Sequence, residues 1–337
     1  MPSSIFSSDR RWLLVWPLTL LLAALVLGAV EWHWRGLDYR PKVLDSMQLW
    51  SLQRDQVYGD GRVPLVLLGA SRIEFGVDPA VLAEHLPGYR PLMLAIDGHY
   101  PIAALRDLAA DTEFRGVVLC DVESNGLLAA YHDMQQPYVD YYRTRWSPHW
   151  RWHRRLLTLW QQRAVIADPR LGALATLRQA WLGGQPYRDY VRFFADRSGA
   201  IDYALTDVEG AKRHFAETVE GNIDRLPAHD PDSWLAGLEP VFADVRRIQQ
   251  RGGQVIFYES PLHGLQHKVM ERVYPRADYW DRFAAASPAP VLSAQTVPAL
   301  MAFPLPDDSH LDARDRAAYT RALADELLER QLLPRLR

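Results

Sequence analysis

The pattern of apolar and polar positions changes character three times along the chain. Trp12 to Val30 is an apolar stretch without a charge. From residue 63 onward, short apolar runs bounded by turn residues alternate with segments of helical spacing. The runs are Val63–Leu68, Arg90–Ile96, Gly116–Val122, Gln254–Tyr258 and Pro290–Ser293. Apolar residues recur at helical spacing in 80–86, 102–110, 234–250 and 311–333, and Leu44–Trp50 reads as a shorter helix. Runs without polar alternation suit strands buried on both faces, and their alternation with helices predicts a parallel, doubly wound α/β sheet. The alternation stops between residues 131 and 232, which show no strand pattern and read as a helical insertion, with a helix over Leu171–Leu182. The expected α/β domain is therefore 36–130 joined to 233–337.

The first stretch is long enough to cross a bilayer, for which about 20 residues are needed. Trp12 at one end and Trp32 and Trp34 at the other suit the two interfaces. A cleaved signal peptide is the competing reading. Its apolar segment is normally about 7–15 residues with a small-x-small site, and Leu27-Gly28-Ala29 fits that poorly. Residues 12–30 are thus expected to be an uncleaved transmembrane anchor. Arg10 and Arg11 precede it and Arg35, Arg40 and Lys42 follow it, so charge only leans toward a cytoplasmic tail over 1–11.

Composition narrows the classes further. The 337 residues, 48% of them hydrophobic, suffice for a full α/β core. A formal charge of -3 argues against nucleic acid as a partner. The single Cys120 rules out an internal disulfide and reads as core. No Cys-x-x-Cys spacing points to a metal, and nothing points to another cofactor. Tyr141–Trp146 and Trp150–Leu156 form a Trp/Arg-rich patch. Three readings stand: arginine stems packed on rings, a membrane or partner contact, or nucleic acid, the last disfavoured by the span.

Candidate chemistry lies at the ends of the sheet runs. The first run stops at Gly69-Ala70-Ser71-Arg72, and Asp307-Asp308-Ser309-His310 precedes the last helix. In a doubly wound sheet both can reach the carboxyl edge of the strands. A serine hydroxyl needs a base in hydrogen-bond reach, and His310 can serve, oriented by Asp307 or Asp308. Gly-x-Ser-x-Gly, the α/β-hydrolase signature, is absent. The bland alternative makes Ser71 a helix cap and His310 a surface residue.

Gly69-Ala70-Ser71 together with Asp307-x-x-His310 resembles the SGNH (GDSL-like) hydrolase superfamily, over about residues 44–130 and 233–331. Within it the chain most resembles the membrane-anchored branch that includes the alginate O-acetylation proteins and the D-alanyl-transfer protein of teichoic acid synthesis. The resemblance implies a flavodoxin-like three-layer sheet, with Ser71 as nucleophile, His310 as base and Asp307 as its orienter. It implies an oxyanion site built from the Ser71 amide, Gly98 and Asn125. The superfamily's Gly-x-Asn-Asp is missing around Asn125, where a plain turn asparagine is the alternative. Arg72 is expected either to bind an anionic substrate group or to pair with Glu74 or Asp78, and His263 either to line the cleft or to be a loop residue.

The resemblance further implies an O-acyltransferase or esterase in the bacterial inner membrane, single-pass, with its catalytic domain in the periplasm. The substrate would be an envelope polysaccharide, the acyl group acetyl, and the partner a membrane-bound O-acyltransferase. A catalytically silent scaffold of the same fold is the rival from another class.

Overall fold

The computed structural model describes residues 12–59, 61–225 and 230–334. The tail over 1–11, with Arg10 and Arg11, lies outside the described residues, as does the side chain of Trp12. By its contacts the chain divides into two compact units: Asp45–Arg155 with Asp189–Arg337, and Met1–Leu44 with Leu156–Arg188.

The larger unit is an α/β sandwich. In chain order its strands are β1 (Val63–Leu68), β2 (Tyr89–Met93), β3 (Val117–Asp121), β4 (Val191–Phe193), β5 (Gly199–Ile201), β6 (Gln254–Glu259) and β7 (Val291–Ser293). β4 and β5 form a ribbon of their own, and the other five form the central sheet. All four pairings of that sheet are parallel and the order is β2-β1-β3-β6-β7. Counted within the sheet this is 2-1-3-4-5, the flavodoxin-like order, with its crevice at the carboxyl ends of β1 and β3, where the strand order reverses. The strands are apolar at nearly every position because both faces are covered. Val66, Leu68, Val118, Cys120, Val255 and Phe257 enter one core, with the Ile102–Ala110 and Glu239–Gln250 helices. Leu65, Leu67, Leu119, Ile256 and Tyr258 enter the other, with the Pro79–His85 and Arg316–Glu329 helices. Cys120 is fully buried.

Several elements differ from the sequence reading. The helix expected over 234–250 is two, Pro231–Ala236 and Glu239–Gln250. Pro240 lacks the N–H that a continuous helix would need, so the break falls at Gly237-Leu238. The Leu44–Trp50 helix starts later, at Met47, because Ser46 caps it by accepting from Leu49 N–H. The last helix is shorter, Arg316–Glu329.

The region over 131–232 is not wholly helical, since it holds the antiparallel β4–β5 ribbon. Nor does it stay together: 156–188 groups with the N-terminal residues and the rest with the sheet. In the Trp/Arg-rich patch, the Trp146 indole and Arg151 both donate to Asp55, and Arg143 donates to Asp107. These are packing contacts, whereas Trp152 remains 63% exposed.

In the smaller unit the helix Trp12–Gly36 contains Leu13–Gly36, long and apolar enough to cross a membrane, with mean hydropathy 2.5 and none of its most apolar window buried. Trp32 is exposed, but Trp34 is buried and does not face outward as expected. It sits in a small core with Tyr39, Val165 and Leu171, and its indole donates to Thr176 Oγ1 at 2.8 Å.

Candidate active site

The turn after β1 is forced by crowding. A Cβ on Gly69 would stand 2.5 Å from Ile73 Cγ2 and 2.8 Å from Asp121 Cβ, so only glycine fits where the chain passes β3. The Gly69 carbonyl accepts from the Ile96 amide and from the Gln135 side chain, which fixes the turn from outside. Ser71 is then the first residue of the Ser71–Gly76 helix. Its N–H therefore has no intrahelical acceptor and is available to an anion.

The sequence-selected residues from the far end of the chain arrive at this point. His310 Nε2 lies 2.8 Å from Ser71 Oγ, and its Nδ1 lies 2.8 Å from Asp307 Oδ2. The second carboxylate oxygen of Asp307 accepts the Ser309 and His310 amides at 2.9 and 2.7 Å. That loop geometry is why Asp-x-x-His works: the aspartate folds its own turn and presents one oxygen to the ring three residues on. Burial raises the Asp307 carboxyl, but the hydrogen bonds and charge of His310 outweigh it and hold it at about 2. Asp307 is thus a carboxylate at any neutral pH. With Nδ1 donating to it, Nε2 is left as acceptor for the Ser71 hydroxyl.

Asp308 serves elsewhere. Its carboxylate accepts the Leu265 amide at 2.9 Å and pairs with Lys212 at 3.0 Å. A Cβ on Gly264, whose φ is +54°, would stand 2.2 Å from it. It therefore pins the start of the Gly264–Val273 helix and leaves the imidazole to Asp307.

Two aromatic rings box the imidazole. Phe215 meets it edge-on at 5.2 Å and Phe75 lies at 6.1 Å. The buried Tyr203 hydroxyl lies beside Asp307 without a hydrogen bond of ordinary geometry, yet close enough to help lower its carboxyl. Tyr203 and Phe215 belong to the region that broke the sheet pattern, and nothing in their local sequence marks them.

The other expected residues lie differently. The Asn125 side-chain N–H donates to the Tyr100 hydroxyl at 3.0 Å, and its Oδ1 is buried without a partner. Gly98 follows β2 with φ +68°, in a turn closed by the Ile96–His99 bridge, and its amide faces the Asp97 carboxylate. Burial pushes the Asp97 carboxyl up, and the nearby His310 and His99 pull it down by less. Arg72 pairs with neither Glu74 nor Asp78 but with Glu123, which also accepts from the Tyr100 hydroxyl. Burial disfavours the Arg72 charge, and Glu123 with Asp121 more than restores it.

Beside Arg72 opens a cavity of about 370 Å³, lined among others by Glu123, Glu259, His267, Tyr274 and Arg276. His263 does not line it. Its amide donates to the Asp308 carbonyl, and the lining histidine is His267, one helical turn further on. Arg276 donates to Glu259 at 2.9 Å, so the cavity wall carries paired charges of both signs. Among the described residues no group of His, Cys, Asp and Glu is placed to hold a metal ion.

No protein-family model matches the chain, and no curated protein matches it. A solved structure titled "Crystal Structure of TesA" is similar over 80% of this chain and 99% of that one, with 12% identity and a TM-score of 0.35. Likeness at that level bears on neither activity nor substrate.

Proposed function

We propose that the protein is a membrane-anchored SGNH-type serine enzyme that moves or removes an ester-linked acyl group. The observation that carries this reading is the unbroken Ser71–His310–Asp307 chain, with 2.8 Å at each of its two links. His310 Nε2 takes the Ser71 proton as Oγ attacks the acyl carbonyl carbon. The tetrahedral oxygen receives the Ser71 N–H at the helix start. Collapse breaks the bond to the leaving alkoxide, which takes the proton back from His310 and leaves an acyl ester on Ser71. A second hydroxyl, from water or from a sugar, repeats the sequence and frees the serine.

In this reading the Gly98 amide and the Asn125 side chain, one N–H of which donates to Tyr100, join the Ser71 N–H at the acyl oxygen. In this reading the helix within 12–36 anchors the chain in a bacterial inner membrane, with the catalytic domain in the periplasm. The acceptor is an envelope polysaccharide, the acyl group acetyl, and a membrane-bound O-acyltransferase delivers it. A serine-directed fluorophosphonate tests the chemistry. It should label the wild type and not Ser71→Ala, and equal labelling of the two would exclude Ser71 as nucleophile. A wild type that resists labelling would favour the scaffold reading.

A further inference from the structure

The helix Ala173–Leu182 is amphipathic in the wrong sense for a protein in water. Leu174, Leu177, Trp181 and Leu182 recur at helical spacing on one side and are 81%, 68%, 89% and 69% exposed. Its inner side is small and polar: Thr176 Oγ1 accepts the Trp34 indole, and Gln179 donates to the Arg170 carbonyl. Leu156, Leu159 and Trp160 add further exposed apolar surface in the same unit. Apolar surface of this extent on the outside of a folded unit marks a contact with something apolar.

The place of the patch identifies its occupant. Residues 13–30 of the N-terminal helix rise roughly 27 Å, close to the roughly 30 Å hydrocarbon thickness of a bilayer. Charged residues begin only at Glu31 and Arg35. The segment 156–188 meets the helix at this exit level. The Glu31 carboxylate accepts the Val165 and Ile166 amides, and Arg35 donates to the Arg163 carbonyl. Tyr39, just beyond, donates to the Pro186 carbonyl at 2.5 Å. The exposed leucines and tryptophan thus stand beside the end of an apolar helix whose own surface is bare, at the depth where a bilayer gives way to water. The segment also carries four arginines and one aspartate, in a chain whose formal charge is -3. A basic segment whose helix presents leucines and a tryptophan at the headgroup level, with Arg178 as that helix's one charge, fits an anionic lipid surface.

We infer that residues 156–188 form a membrane-interface collar around the exit of the N-terminal helix, with Leu174, Leu177, Trp181 and Leu182 seated in lipid. The inference rests on reading that helix as a membrane span, and it is independent of the chemistry at Ser71.

The test uses the full chain in vesicles of phosphatidylethanolamine and phosphatidylglycerol, with nitroxide labels on introduced cysteines. Cys120 is fully buried and does not compete. Leu177→Cys and Leu174→Cys report the collar, Leu21→Cys the span and Glu84→Cys the water. Both collar labels should collide with oxygen more than with a water-soluble nickel chelate. Their nickel collision rate should be several-fold below that of Glu84→Cys. Nickel access equal to Glu84→Cys, with Leu21→Cys still in lipid, overturns the collar alone. Labels shielded from both reagents, or broadened by a second label, would assign the patch to a protein partner or a second copy, and overturn it too. A Leu21→Cys label in water would remove the span, and the collar with it.

Discussion

Glu74 and Arg197 meet as a fully buried pair at 3.3 Å, one helical turn beyond Ser71. Arg197 arrives from the turn between β4 and β5, where it holds a φ of +68°. It donates twice to Asp45, at 2.8 and 2.7 Å, and to the Met93 and Ala95 carbonyls, at 3.3 and 2.8 Å. Burial raises the Glu74 carboxyl well above its usual range in spite of Arg197, so Asp45 supplies the countercharge. One guanidinium thereby ties the Ser71 helix to the backbone that leads into Gly98. Arg197→Met should lower unfolding free energy by about 3–5 kcal/mol, because it strands buried acceptors around a lost cation. Arg197→Lys should lose less. The midpoint of urea unfolding measures both, and a loss below about 1 kcal/mol in the methionine variant would show that the network contributes little.

The turn that presents Ser71 should be equally intolerant. Gly69→Ala places a methyl against Ile73 and Asp121 that neither can avoid without shifting β3 or the Ser71 helix. Overpacking of this kind costs about 1–3 kcal/mol. Fluorophosphonate labelling at Ser71 should slow markedly even where the variant remains folded. Wild-type stability together with wild-type labelling would mean that the loop relaxes freely.

Asp121, beneath the same turn, should make stability depend on pH. Burial raises its carboxyl from 3.8 to about 7, against the pull of Arg72 and the Ser260 hydrogen bonds. The folded state then holds the proton more tightly than the unfolded chain does. Its stabilising share is complete below about pH 4 and is lost as pH rises toward about 7. Wild type should therefore lose more stability between about pH 4.5 and about pH 7.5 than Asp121→Asn, which keeps an oxygen to accept the Ser260 amide. Parallel curves for the two proteins would place the dependence on other groups.

The five central strands were legible in the sequence because burial on both faces leaves an unmixed apolar run ending in turn residues, as in Val63–Leu68 before Gly69. Ser71, Asp307 and His310 stood out by order and context, a serine after the first strand run and an Asp-x-x-His before the last helix, and the fold links the three by hydrogen bonds. The ribbon β4–β5 was not legible, since strands of three residues are too short to set a period. Arg197, Tyr203 and Phe215 were invisible for a different reason. Each acts on partners about 100 residues or more away, and an isolated Arg, Tyr or Phe in an irregular region carries no local mark. His263 and His267 show how little a local reading fixes at such a position. Both a cleft and a loop position suit a residue after β6, and of the two histidines it is His267, on the helix that begins at Gly264, that lines the cavity beside Arg72.

Ser71, His310 and Asp307 should behave as a unit under mutation. Ser71→Ala and His310→Ala should each lower turnover of a model acetyl ester by several orders of magnitude. The double variant should lose little more, because the proton that His310 accepts exists only when Ser71 attacks. Asp307→Asn should cost less than either, since it reverses the hydrogen bond that sets the imidazole tautomer but removes no reacting atom. It should also loosen the loop, because one Asp307 oxygen holds the Ser309 and His310 amides. The introduced side-chain amide has a single oxygen, which can hold those backbone amides or meet the ring, and cannot do both. The loss should therefore fall in kcat, with KM nearly unchanged, as expected when ground-state binding survives and the transition state loses its base. Ser71→Ala itself should unfold within about half a kcal/mol of wild type, because the hydroxyl it removes is only partly buried. Full turnover by Ser71→Ala would end the covalent mechanism. Additive losses in the double variant would mean that serine and histidine act separately, and that their 2.8 Å contact is not the catalytic one.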